Sequence, residues 1–192
     1  ISRLNEMEKN ANRLPEGWKY ALPTEAQWEY ACRAGTTTAY SWGNDINSSR
    51  ANYNRNIGQT VNVGQYAANP WGFFDMHGNV WEWVYDWKEY YASISQTNPE
   101  GPALGSNRVS RGGSWRSPST WMRSALRGKT DPSNRNYARG FRLAFQKIQP
   151  DTSNPEIQLS GGDTITHAQG IPFIEPGVEA HDARDGNITD QI

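Results

Sequence analysis

Arg111-Gly112-Gly113-Ser114-Trp115, an arginine-spaced run through Arg123 and Arg127, and the close on Gly140-Phe141-Arg142-Leu143-Ala144 form the stretch on which the fold turns. Arg108–Arg111 and Gly140–Phe145 read as strands, the second because Phe141, Leu143 and Phe145 alternate with Arg142 and Ala144. Just upstream, Asn79 to Trp87 places Trp81, Trp83, Tyr85 and Trp87 at alternate positions, which predicts an extended segment with one aromatic face. Further back, Thr24 reads as an N-cap and Gln27 completes a capping box. That helix runs to about Arg33 and stops at Gly35. Trp28, Ala31 and Cys32 share its buried side, so Cys32 reads as a small core residue. Leu4, Met7 and Ala11 repeat at helical spacing before Pro15 and Gly17, and Asn69-Pro70-Trp71-Gly72 is a turn.

The whole chain is 192 residues with nine Trp, nine Tyr, eighteen Gly, eleven Pro and a mean hydropathy of −0.85. Such a load of rings and turn formers predicts a loop-rich α+β fold rather than a helical bundle. No apolar run is long enough to span a bilayer. The net charge of −1 hides an asymmetry: residues 1–147 carry 18 basic and 12 acidic side chains, and residues 148–192 carry 1 and 8. A shift of that size at Gln149-Pro150-Asp151-Thr152-Ser153-Asn154-Pro155 marks a boundary, giving a domain over 1–147, a linker over 148–155 and a second segment over 156–192. The chain opens at Ile1 inside a helix and reads as a fragment, so a missing signal peptide carries no weight. A lone cysteine says little about redox compartment.

Leu22-Pro23-Thr24-Glu25-Ala26-Gln27-Trp28-Glu29-Tyr30-Ala31, Gly78-Asn79-Val80-Trp81-Glu82-Trp83, the Gly-Gly-Ser-Trp stretch and Gly140-Phe141-Arg142 together resemble the C-terminal half of the formylglycine-generating enzyme, or sulfatase-modifying factor, family. The resemblance covers roughly Leu14 to Phe145 and implies a C-type-lectin-like variant of the α+β class. It also implies an active site with two cysteines after Gly-Gly-Ser, which hold copper(I) and oxidise a substrate cysteine. Here those places hold Ser117 and Met122. Copper(I) is soft and selects thiolates, so copper is not expected and neither is oxidase chemistry by that route. Whether the domain is an enzyme stays open; the alternative is a formylglycine-generating oxidase that acts through other residues.

By the same resemblance, Asp75, Gly78, Val80 and Glu82 match a calcium loop, with two carboxylates and two backbone carbonyls, in a structural role. The competing reading is that Asp75 caps a turn and Glu82 pairs with an arginine. His77, His167 and His181 have no metal-ligand spacing and read as surface or turn histidines.

Between Arg108 and Arg142 there are nine basic residues and one acid, Asp131. Arg111, Arg123, Arg127 and Arg142 sit where the family commonly has arginine, and buried pairing with Glu29, Asp86 or similar is expected of them. Arg116, Arg135 and Arg139 are the candidates for an anionic ligand. A concave face with Ser114, Trp115, Arg116, Ser117, Trp121, Arg135 and Arg139 is the expected ligand site, and a protein or peptide the expected class of ligand. Nucleic acid is not expected, because no recognition motif accompanies the arginines. Targets of diversity-generating retroelements also vary residues between Gly-Gly-Ser-Trp and Gly-Phe-Arg, which would place variation at Arg116–Ser119, Thr130 and Ser133–Arg139.

Beyond the linker, Pro172-Phe173-Ile174-Glu175-Pro176-Gly177-Val178 and Asp185-Gly186-Asn187-Ile188-Thr189 resemble the opening strands of a bacterial immunoglobulin-like surface repeat. That resemblance implies an incomplete β-sandwich and an extracellular or cell-surface location. The combined expectation is a non-catalytic ligand-binding or display module.

Overall fold

The computed structural model describes residues 1–91 and 93–148 and, beyond them, the strand backbones of 156–159, 178–182 and 186–187. The chain divides into two compact units, Ile1–Lys147 and Ile148–Ile192.

The first unit begins with α1 (Ser2–Asn10), which buries no residue. Leu4 and Met7 therefore do not make a core face, despite their spacing. The helix is tied instead through Asn5, whose amide exchanges hydrogen bonds with the Tyr20 backbone at 2.8 and 2.7 Å. Tyr20 lies in β1 (Trp18–Ala21), and β1 pairs antiparallel with β6 (Ala144–Lys147), joining the two ends of the domain. Phe145 packs against Trp18 and Tyr20 at 4.9 and 5.1 Å.

α2 (Glu25–Arg33) starts as the sequence predicts. The Thr24 hydroxyl accepts from the Gln27 N–H, and the Gln27 side chain accepts from the Thr24 N–H. It ends at Arg33 as expected, with the left-handed cap falling on Ala34, one residue ahead of Gly35. α2 packs on a four-stranded sheet of order β4-β3-β2-β5, made of β2 (Trp81–Trp87), β3 (Arg108–Arg111), β4 (Gly128–Thr130) and β5 (Arg139–Phe141). β3 is antiparallel to β2 and β4, whereas β5 runs parallel to β2.

The Gly140–Phe145 strand expected from alternation is two strands. β5 and β6 separate at Arg142 and Leu143, and Arg142 turns inward to meet Glu82 through two hydrogen bonds of 2.6 and 2.7 Å. Charge pairing, rather than the alternation of rings, decides the path there.

β2 carries an inversion of the same kind. Its deeply buried face is Glu82, Val84 and Asp86; on the other face Trp81 is buried, Trp83 and Trp87 are half-buried and Tyr85 is exposed. The apolar core beneath is small: Trp28, Cys32, Met76, Val84 and Val109, with Ala31 against it. Burying each large side chain contributes about 1.5–3 kcal/mol. A lattice of ion pairs completes the interior. Arg111, fully buried, bridges Glu25 and Glu29 and donates to the Ser124 and Leu126 carbonyls. Arg127 forks onto Glu25 at 2.5 and 2.6 Å. Glu82, held by Arg142, also accepts from the Trp28 indole at 2.6 Å. The pairing expected for Arg111, Arg127 and Arg142 is thus present. Arg123 differs: it is exposed and donates to the Thr120 carbonyl.

The second unit contributes a three-stranded antiparallel sheet of β7 (Glu156–Leu159), β8 (Val178–Asp182) and β9 (Gly186–Asn187). Most of the residues on which the immunoglobulin-like reading rests lie outside the described residues.

Candidate functional site

The loop after β3 turns through Gly112 and Gly113, both in the left-handed region at φ +87° and +73°. A side chain at Gly113 would run into Met122, whose Sδ stands 2.9 Å from where a Cβ would be. Met122 ends a short 3-10 helix (Ser119–Met122) and is wholly buried. Ser117 is also buried, accepting from the Ser114 N–H at 3.1 Å and sharing a hydroxyl contact of 3.1 Å with Ser114. Places 117 and 122 are thus filled by a serine bonded to its neighbour and a thioether packed on glycine. Neither presents an ionisable sulfur.

The thiol that does exist is close but inert. Cys32 Sγ lies 3.6 Å from both His77 Nε2 and Ser124 Oγ, and burial pushes its pKa up to about 12. A thiol so buried is a poor nucleophile and metal ligand. His77 is not the surface or turn residue expected of it. It is 4% exposed; Ser41 N–H donates to Nε2 at 3.2 Å, which puts the ring proton on Nδ1, donating to the Met122 carbonyl at 2.6 Å. Burial drives its pKa down to about 4, so it stays neutral. Its Gly-rich, aromatic neighbourhood gave no cue to that burial, because the partners come from three distant segments.

The expected ligand face is rearranged. Ser114 and Ser117 lie beneath the surface, and the exposed layer is Arg116, Trp121 and Tyr137, with Trp115 half-buried. Arg116 donates to the Tyr137 hydroxyl and sits 5.7 and 5.6 Å from the Trp115 and Tyr137 rings. Tyr137 belongs to the 130–139 loop expected on this face, though not singled out there, and its ring lies 6.1 Å from that of Trp115. Trp121 leans on Trp81 at 6.0 Å, and Arg139, paired with Trp81 in the sheet register, lies over Trp83 at 5.5 Å. Arg135 is exposed and makes no side-chain hydrogen bond or ion pair among the described residues. Two donors on this side, Trp115 Nε1 and Arg139 Nε, are buried without an acceptor among the described residues.

At the calcium-type loop, Asp75, Gly78 and Asn79 all have left-handed backbone, at φ +55°, +92° and +63°. Asp75 Oδ2 accepts the Gly64 N–H at 2.6 Å. Glu82 takes three donors, two from Arg142 and one from Trp28, against about four lone-pair sites on a carboxylate. The four candidate groups are hard oxygens, as calcium requires, but the contact Glu82 makes is the arginine pairing of the competing reading, with Arg142 on both of its oxygens. Among the described residues no three His, Cys, Asp or Glu side chains gather to hold a metal, so a calcium ion here would depend on the Gly78 and Val80 carbonyls.

With this geometry in place, comparison with known proteins defines the class. The chain belongs to the sulfatase-modifying factor family: the family model described as "Sulfatase-modifying factor enzyme 1-like domain" matches residues 3–147. It is 44% identical over 128 residues to the serine/threonine-protein kinase pkn1 of Chlamydia pneumoniae, covering 64% of this chain and 20% of that protein. It is 34% identical over 146 residues to the formylglycine-generating enzyme of Mus musculus, covering 66% of this chain and 39% of the enzyme. Among solved structures, Treponema denticola variable protein 1 matches with a TM-score of 0.60 and 36% identity over 65% of this chain and 46% of that one. The chain thus spans less than half the length of each of these relatives.

Proposed function

We propose that the 1–147 domain is a non-catalytic recognition module of the sulfatase-modifying factor fold. The observation that carries this reading is the filling of the two cysteine places by Ser117 and Met122, both buried and both engaged. The binding face is the Arg116–Trp115–Tyr137 group, with Trp121 and Arg139 beside it. Its rings supply contact area and its arginines, which have no carboxylate partner among the described residues, supply recognition of acidic or acceptor groups on a protein or peptide. The alternative is a formylglycine-generating oxidase using other residues. Its test is to incubate the full chain with copper, oxygen and a cysteine peptide of sulfatase type, then search for formylglycine by mass spectrometry. No product is expected; product above a metal-free control overturns the module reading.

Calcium belongs to this proposal in a structural role, held by Asp75, the Gly78 and Val80 carbonyls and Glu82. An ion bound only by the native state stabilises it by mass action, by about 2.7 kcal/mol at a hundredfold excess over Kd, and so raises the melting temperature. A melting temperature unchanged between calcium and chelator would remove it. The second unit is proposed as the start of an immunoglobulin-like repeat on a secreted or cell-surface bacterial protein; its antiparallel strands and the acidic shift after residue 147 support that. Among the described residues no helix is long and apolar enough to cross a membrane.

A further inference from the structure

A cavity of about 550 Å³ opens beside α2, between the end of β2 and the residues around Gly101. It shares no residue with the Ser114–Trp121 face. Its size is that of a small-molecule or side-chain site. Tyr30, Trp87, Tyr90 and Tyr91 give it aromatic walls.

Its charges are unevenly matched. Of the lining carboxylates, Glu29 pairs with Arg33 at 2.8 Å and Glu25 with Arg127 at 2.5 Å, and the buried Arg111 bridges both. Asp86, Glu89 and Glu100 also line the cavity and have no ion-pair partner among the described residues. Asp86 is the telling one. It is 4% exposed, and its Oδ2 accepts the Glu25 N–H at 2.5 Å. A carboxylate withdrawn from water without an ion pair is costly, and its pKa is pushed up to about 6, burial being the main cause and the charge of Arg127 across the cavity only partly offsetting it.

We propose that this cavity binds an alkylammonium ion, its cationic head paired with Asp86 and its carbon chain laid along the tyrosines. An ammonium is a compact charge with three donors, suited to a carboxylate that already has one oxygen engaged. Tyr and Trp faces attract cations, and the unpaired acids repel anions. The source is either a free diamine or the lysine side chain of a peptide, since both present the same group.

The test is a titration of the isotope-labelled full chain followed by amide and indole chemical shifts. The probes are 1,5-diaminopentane, a blocked Gly-Lys-Gly peptide, and the matching Gly-norleucine-Gly peptide. One or both cations are expected to give saturable shifts at Tyr30, Asp86 and Trp87, and the two arms distinguish free amine from lysine side chain. The norleucine peptide is expected to give none. Asp86→Asn keeps the acceptor for Glu25 and should weaken binding by about tenfold or more, the scale of a charge-assisted hydrogen bond. Glu100→Gln, on an exposed loop, should weaken it less while leaving the fold untouched. Equal binding of norleucine, undiminished binding by Asp86→Asn in a folded protein, or no saturable shift from either cation overturns the proposal.

Discussion

Met122 and Asp86 show how single residues depart from what their surroundings require. Met122, at one of the two places where the resemblance implies a cysteine, packs onto Gly113 and is wholly buried. Met122→Ala should therefore cost about 2–5 kcal/mol, because a fully buried side chain leaves a cavity over a rigid glycine turn; urea unfolding measures it. Asp86 acts in the opposite sense. Its folded pKa of about 6 stands above the ordinary 3.8, so the native state binds the extra proton between those values. Stability from this group is present below pH 3.8 and is lost as pH rises through 6. Asp86→Asn should then stabilise the protein by about 1–3 kcal/mol at pH 7 and add little at pH 4, as read from urea midpoints at the two pH values. His77 runs the other way, with its pKa lowered to about 4: its contribution is present above 6.5 and is lost as pH falls through 4.

Helix α2 is the element on which the domain is organised. Its first turn holds Glu25, its middle holds Trp28 and Glu29, and its last turn holds Cys32, so one helix meets the ion-pair lattice, the apolar core and the cavity. Its start is specified locally by the Thr24–Gln27 capping box, and Thr24→Ala should cost about 1 kcal/mol, measured by thermal or urea unfolding. β2 was legible as a strand from its alternation, yet the alternation alone does not say which face goes inward. Of the four rings only Trp81 is buried; the partners available on α2 and around Arg142 draw Glu82 and Asp86 inward on the opposite face. Arg142 likewise divides what reads as one strand into β5 and β6.

At the scale of the whole domain, ion pairs knit helix to sheet where the apolar core is small. Arg111 is the centre of that lattice, and Arg111→Ala leaves Glu25 and Glu29 without their shared counter-charge. The expected loss is about 3–5 kcal/mol, while raised salt should matter little to a pair so buried; unfolding of the variant at two ionic strengths checks both. The sequence by itself determined the family, the α2 cap, the strands around Arg108 and Trp81, and the loss of the cysteine pair, because each is written in short, local spacing. Tertiary structure alone decided the burial of His77, the arrival of Tyr137 beside Arg116, the sinking of Ser114 and Ser117, and the cavity around Asp86. His77 finds its partners 36 and 45 residues away, Arg116 meets Tyr137 across 21 and Asp86 meets Glu25 across 61, and pairing at such separations leaves no periodic trace in the chain.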